Sequence, residues 1–78
     1  WNFEAQAARL ARAVRIAASR TPGALDLHVG AAFGDWLERG GGRPAWDAIQ
    51  AASPAVLHLS PTGLDDAISV ERSERSAG

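Results

Sequence analysis

The sequence predicts an all-α fold, a compact bundle of four to five short helices, and two observations favour it. Pro22, Pro54 and Pro61 each follow a serine or threonine, and Pro44 follows closely after a run of three glycines. Hydroxyl side chains cap helix starts, and a proline at the first helical position removes no donor that the helix needs. Between these breaks, apolar residues recur at intervals of three and four, as on one face of a helix.

The clearest predicted helix covers residues 3–19. Phe3, Ala7, Leu10 and Val14 recur at spacings of four and three, which places them on one helical face. The basic residues fall on the remaining surface, at Arg9, Arg12, Arg15 and Arg20. We therefore expect an amphipathic helix with an apolar inner face and a basic outer face.

The segment 22–39 fits two patterns. Leu25, Val29 and Trp36 share a face at helical spacing, whereas Leu25, Leu27 and Val29 alternate with polar residues as in a strand. We favour the helix, although the three glycines within the segment weaken it.

The second half of the chain predicts two further helices. One covers residues 44–52, and the last opens at Ser60-Pro61, with early carboxylates that suit the positive end of a helix. We expect Leu64, Ala67 and Ile68 to face inward from this last helix. Residues 54–59 fit either a helical turn or a buried strand, because six residues are too few to decide.

An alternative fold follows if both ambiguous segments are strands. It is a small α/β fragment with parallel strands near residues 25–29 and 55–59. Two strands do not make a stable sheet alone. This alternative therefore makes the chain a piece of a larger α/β fold.

The size of the chain predicts one small helical domain over residues 1–73, followed by a disordered tail at 74–78. Of the 78 residues, 46% are hydrophobic, but 17 of these are alanine, so the core is thin. The chain begins at Trp1 rather than methionine, so we expect an excised domain or a processed chain. We expect Trp36 and Trp46 to pack together in the core and Trp1 to anchor a partner.

Composition and motifs exclude several classes of protein. There is no cysteine and no apolar run long enough to cross a membrane, so we expect no membrane span and take the cytoplasm as the default location. His28 and His58 are thirty residues apart and set no metal geometry, so we expect structural histidines. No nucleophile elbow or phosphate loop is present. We therefore expect no enzyme activity, catalytic residue, metal or cofactor.

Charge is distributed unevenly. Residues 1–22 carry four arginines and one glutamate, whereas residues 23–78 carry four arginines and eight acidic residues. We hypothesise that Arg9, Arg12 and Arg15, together with Trp1, bind an acidic protein partner or a second copy of the chain. Nucleic acid is a weaker alternative, because such binders are usually basic and this chain has a net charge of −1.

In architecture, short helices separated by Ser/Thr-Pro breaks resemble the small helical adaptor bundles of the death-like and SAM-like types. The resemblance implies an interaction or assembly domain and assigns no binding residue. With this predicted fold, the sequence indicates a non-enzymatic, bacterial protein–protein interaction domain. The alternatives are a small subunit or fragment of an α/β enzyme and a helical nucleic-acid-binding domain.

Overall fold

The computed structural model describes residues 2–63 and 68–74 and shows a mixed α/β fold. In chain order, the described elements are α1 (Phe3–Arg20), β1 (Leu25–Gly30), α2 (Ala31–Arg39), α3 (Arg43–Ala52), β2 (Leu57–Thr62) and β3 (Ile68–Arg72). The strands form one sheet in the order β2-β1-β3, with β2 parallel and β3 antiparallel to β1. The predicted all-α bundle of four to five helices is therefore wrong. The resemblance to the helical adaptor bundles depended on that prediction and is wrong as well.

The strand β1 explains why the helical interpretation of 22–39 failed. Leu25, Leu27 and Val29 are all fully buried, so the period of two describes their burial and the helical spacing does not. The segment divides at Gly30, where β1 ends and α2 begins. The helical stripe predicted over 22–39 thus joined residues that belong to two elements.

The predicted helix that opens at Ser60-Pro61 is also wrong. Pro61 lies within β2, which is an edge strand of the sheet, where proline is tolerated because one row of backbone groups has no partner strand. Ile68 faces inward as expected, but from β3, where it pairs with Val29. The other predicted inward residues, Leu64 and Ala67, lie outside the described residues.

The strands near 25–29 and 55–59 of the alternative fold are present and parallel. Leu25 pairs with Leu57, and Leu27 pairs with Leu59. The strand that this alternative lacked is β3, which completes a three-stranded sheet among the described residues. Between β1 and β2 the chain crosses over through α2 and α3.

The hydrophobic core lies between one face of the sheet and the helices. It combines the buried residues of β1 with Leu10 and Val14 of α1, Phe33 and Leu37 of α2, and Trp46 and Ile49 of α3. Both α1 and α3 agree closely with the predicted helices at 3–19 and 44–52. Trp46 is a core residue as predicted, whereas Trp36 is half-buried against the core, and its ring partners are Phe3 and Phe33, at centroid distances of 5.5 and 6.0 Å.

The turn before β1 depends on a glycine in the left-handed region. Gly23 has φ of +95°, and a Cβ there would meet no atom within 4 Å. We expect Gly23→Ala to lower the free energy of unfolding by about 1–2 kcal/mol, because the cost comes from the backbone conformation alone. Urea denaturation measures it. Gly63→Ala is the control, since Gly63 has equal space and no positive φ; equal losses for both variants would contradict the conformational explanation.

Candidate functional site

The basic helix α1 begins at a side-chain cap and packs one face into the core. The side-chain oxygen of Asn2 accepts a hydrogen bond from the backbone N–H of Ala5 at 3.0 Å, and Ala7, Leu10 and Val14 are buried. Its arginines, which the sequence placed on the outer surface, are all exposed: Arg9, Arg12, Arg15 and Arg20. The predicted amphipathic helix is confirmed.

Among the described residues, these arginines differ from those of the other helices in forming no ion pair with an acidic side chain. Arg39 pairs with Asp35 at 2.6 Å, and Arg43 pairs with Asp47 at 3.3 Å, each within one helix. Within residues 2–63 and 68–74, no arginine of α1 forms an ion pair. The positive charge of α1 is therefore available to a ligand, whereas that of α2 and α3 is largely neutralised in place.

A groove runs between α1 and β3, and we call it the α1–β3 groove. It is lined by Arg9, Arg12, Ala13, Ile16 and Arg20 from α1 and by Ile68 and Val70 from β3. No residue of β1 or β2 lines it, so it lies on the side of β3 that faces away from the rest of the sheet. Ile16 is 48% exposed and supplies an apolar surface between the basic residues.

Only some of the predicted binding residues lie in the groove. Arg9 and Arg12 lie together at one of its ends, whereas Arg15 lines a different depression between α1 and α3, beside Val14 and Ile49. Trp1, the predicted anchor, lies outside the described residues. The sequence analysis also missed Ile16 and Arg20 as groove residues. The signal for Ile16 was present, because it is a large apolar residue outside the predicted inner stripe of α1.

The opposite face of the sheet is polar. Asp26 and His28 of β1 alternate with its buried residues and therefore point away from the helices. By register they lie beside His58 and Ser60 of β2, and His28 Nε2 is 3.2 Å from Glu71 Oε2 of β3. Both histidines are half-buried, as expected for structural histidines. The described part of the chain contains no cluster of three metal-ligating side chains that could hold an ion.

Among the described residues, Ser60 is one of two serines that lie beside a histidine, and Ser69 of β3 is the other. The register partner of Ser60 is His28, and His58 lies on the same face of β2. Ser60 Oγ is nevertheless buried with no hydrogen-bond partner among the described residues, so neither histidine is positioned to take its proton. Asp65, whose carboxylate could complete a Ser-His-Asp grouping, lies outside the described residues.

Comparisons with protein-family models, with curated proteins and with solved structures find no match to this chain. No helix among the described residues is both long and apolar enough to cross a membrane. The α1–β3 groove is the candidate site, because arginines that form no ion pair with a described residue lie there with an exposed isoleucine beside the edge of a sheet.

Proposed function

We propose that this chain is a non-enzymatic protein–protein interaction module that binds an acidic partner in the α1–β3 groove. The observation that carries the proposal is the set of unpaired arginines, Arg9, Arg12 and Arg20, around the exposed Ile16. Arginine is enriched in protein interfaces, and complementary charge steers a partner to its site. The cytoplasm is the proposed setting by default, since the absence of cysteine fits any compartment.

An acidic partner fits this groove better than a second copy does. A two-fold dimer contact places the same surface on both subunits. If two copies met through β3, the basic residues Arg9, Arg12 and Arg20 would face the same cluster across the axis. Like charges at close range oppose association, so the groove favours a partner with carboxylates.

Nucleic acid is the alternative that also uses arginine. Binding to single strands usually adds aromatic side chains on which bases stack, and the groove lining contains none. The chain also has a net charge of −1, whereas nucleic-acid-binding domains are usually basic. These features favour an acidic protein segment.

The test measures binding of a fluorescein-labelled peptide, Ser-Glu-Thr-Val-Thr-Glu-Ser, by anisotropy at low salt. We expect the double variant Arg9→Gln/Arg12→Gln to bind up to about fivefold more weakly, because the surface ion pair at this end of the groove, worth about 0.2–1 kcal/mol, is lost. The matched control is Arg15→Gln/Arg39→Gln, which removes the same charge away from the groove and retains binding.

Three results would contradict the proposal. One is the absence of peptide binding by the unmodified chain at low salt. Another is an equal loss in both double variants, which would indicate a general effect of net charge. The third is duplex DNA binding that is tighter than peptide binding and depends on Arg9 and Arg12, which would favour the nucleic-acid alternative.

A further inference from the structure

We infer that the acidic partner binds in extended form, as a fourth strand paired with the free edge of β3. This inference rests on the proposed function and adds the conformation and sequence pattern of the partner. Its basis is that the α1–β3 groove follows an edge strand, and no other described strand pairs with the outer side of β3. Addition of a peptide strand to such an edge is an established mode of recognition.

The two edges of the sheet are not equally suited to this pairing. β2 carries Pro61, which has no N–H to donate and breaks a continuous ladder. β3 extends over Ile68–Arg72 without a proline, and α1 runs beside it to supply side-chain contacts. The edge that can pair over its whole length is therefore the one beside the basic groove.

The spacing of the groove residues indicates the pattern of the partner. Arg12 and Arg20 are eight residues apart on α1, which is about 12 Å at 1.5 Å per residue. In a strand, two residues four apart share a face and lie about 13 Å apart. Two carboxylates at this spacing can thus reach the two ends of the groove at once.

The residue midway between the two carboxylates meets the apolar centre of the groove. Ile16 lies between Arg12 and Arg20 on α1, and Ile68 and Val70 are the residues of β3 that turn toward the helices. A valine or isoleucine at the middle position would cover Ile16. The partner pattern on this face is therefore acidic, apolar, acidic at alternate positions.

The intervening positions of the partner point to the opposite, polar side of the sheet. There they lie beside Glu71, which alternates with the inward residues of β3 and contacts His28 of β1. A carboxylate at these positions would be repelled by Glu71, so neutral polar residues fit best. The pattern Glu-Thr-Val-Thr-Glu meets all of these requirements, and a uniformly acidic peptide does not.

The test blocks backbone pairing while leaving the side chains of the probe unchanged. In a strand, successive N–H groups point to opposite edges. One version of Ser-Glu-Thr-Val-Thr-Glu-Ser is N-methylated at the valine, and a second at both threonines. We expect one version to lose about tenfold in affinity, since each lost hydrogen bond contributes about 0.5–1.5 kcal/mol, and the other to bind like the parent peptide.

A second measurement locates the pairing. Amide hydrogen exchange should slow, when the parent peptide is bound, at the residues of Ile68–Arg72 whose N–H groups point away from β1, while exchange in β2 stays unchanged. Equal affinity of both methylated peptides, or unchanged exchange in β3, overturns strand addition. If the Arg9→Gln/Arg12→Gln variant still weakens binding in that case, the proposed function stands and only the strand mode fails.

Discussion

Phe33→Ala is expected to lower the free energy of unfolding by about 3–5 kcal/mol. The side chain of Phe33 is fully buried and packs between Phe3 and Trp36, at ring-centroid distances of 5.8 and 6.0 Å. Truncation of a buried phenylalanine costs about 3–5 kcal/mol, since it removes the transfer free energy and leaves a cavity. A domain of this length has a total stability of only about 4–12 kcal/mol, so the loss consumes much of it.

Circular dichroism and urea denaturation measure this loss. The control is Val56→Ala, a truncation of a large apolar side chain that is 63% exposed and should leave the denaturation midpoint nearly unchanged. A Phe33→Ala variant with the midpoint of the unmodified chain would show that the aromatic cluster is not part of the folded core.

Gly42→Ala is expected to destabilise the chain by about 1–3 kcal/mol or more, through overpacking against Trp36. A Cβ on Gly42 would lie 2.6 Å from Cδ2 of the Trp36 ring, closer than van der Waals contact permits. The ring cannot shift freely, because it is held against Phe3 and Phe33. Either the helix start at Arg43 or the aromatic cluster must therefore move.

Gly41→Ala is the matched control for this substitution. It lies in the same turn, and its added Cβ would come no nearer than 3.9 Å to Trp36 Nε1. Neither glycine has a positive φ, so the two substitutions differ in contact and not in backbone strain. Thermal denaturation that shows the same midpoint for both alanine variants would contradict the steric argument.

The helices were predictable where the spacing of apolar residues agreed with the positions of proline and glycine at the helix boundaries. In α1 the helical spacing of apolar residues continues through all eighteen residues. Pro44 lies in the first turn of α3, as the sequence predicted. The prediction failed at β1, where the same apolar residues satisfied two periods. Only the pairing of β1 with strands on both sides, which is non-local, decides in favour of the strand.

The binding groove was predictable only in part for a similar reason. The basic face of α1 follows from the helical period, which gave Arg9 and Arg12. The contribution of β3 did not follow, because its residues were assigned to a helix and its approach to α1 is a tertiary contact. Without that contact, the sequence offered no physical basis for separating Arg15 from the other two arginines.

The order of the strands in the sheet has a consequence during synthesis. β1 leaves the ribosome first of the three, yet it lies in the middle of the sheet, and both of its neighbours are made later. Until residue 72 has emerged, the nascent chain presents β1 with at least one unprotected edge and its most apolar residues incompletely covered. A chain that terminates before β3 would therefore be prone to aggregation. A chaperone that shields β1 would act in the interval before the last strand is synthesised.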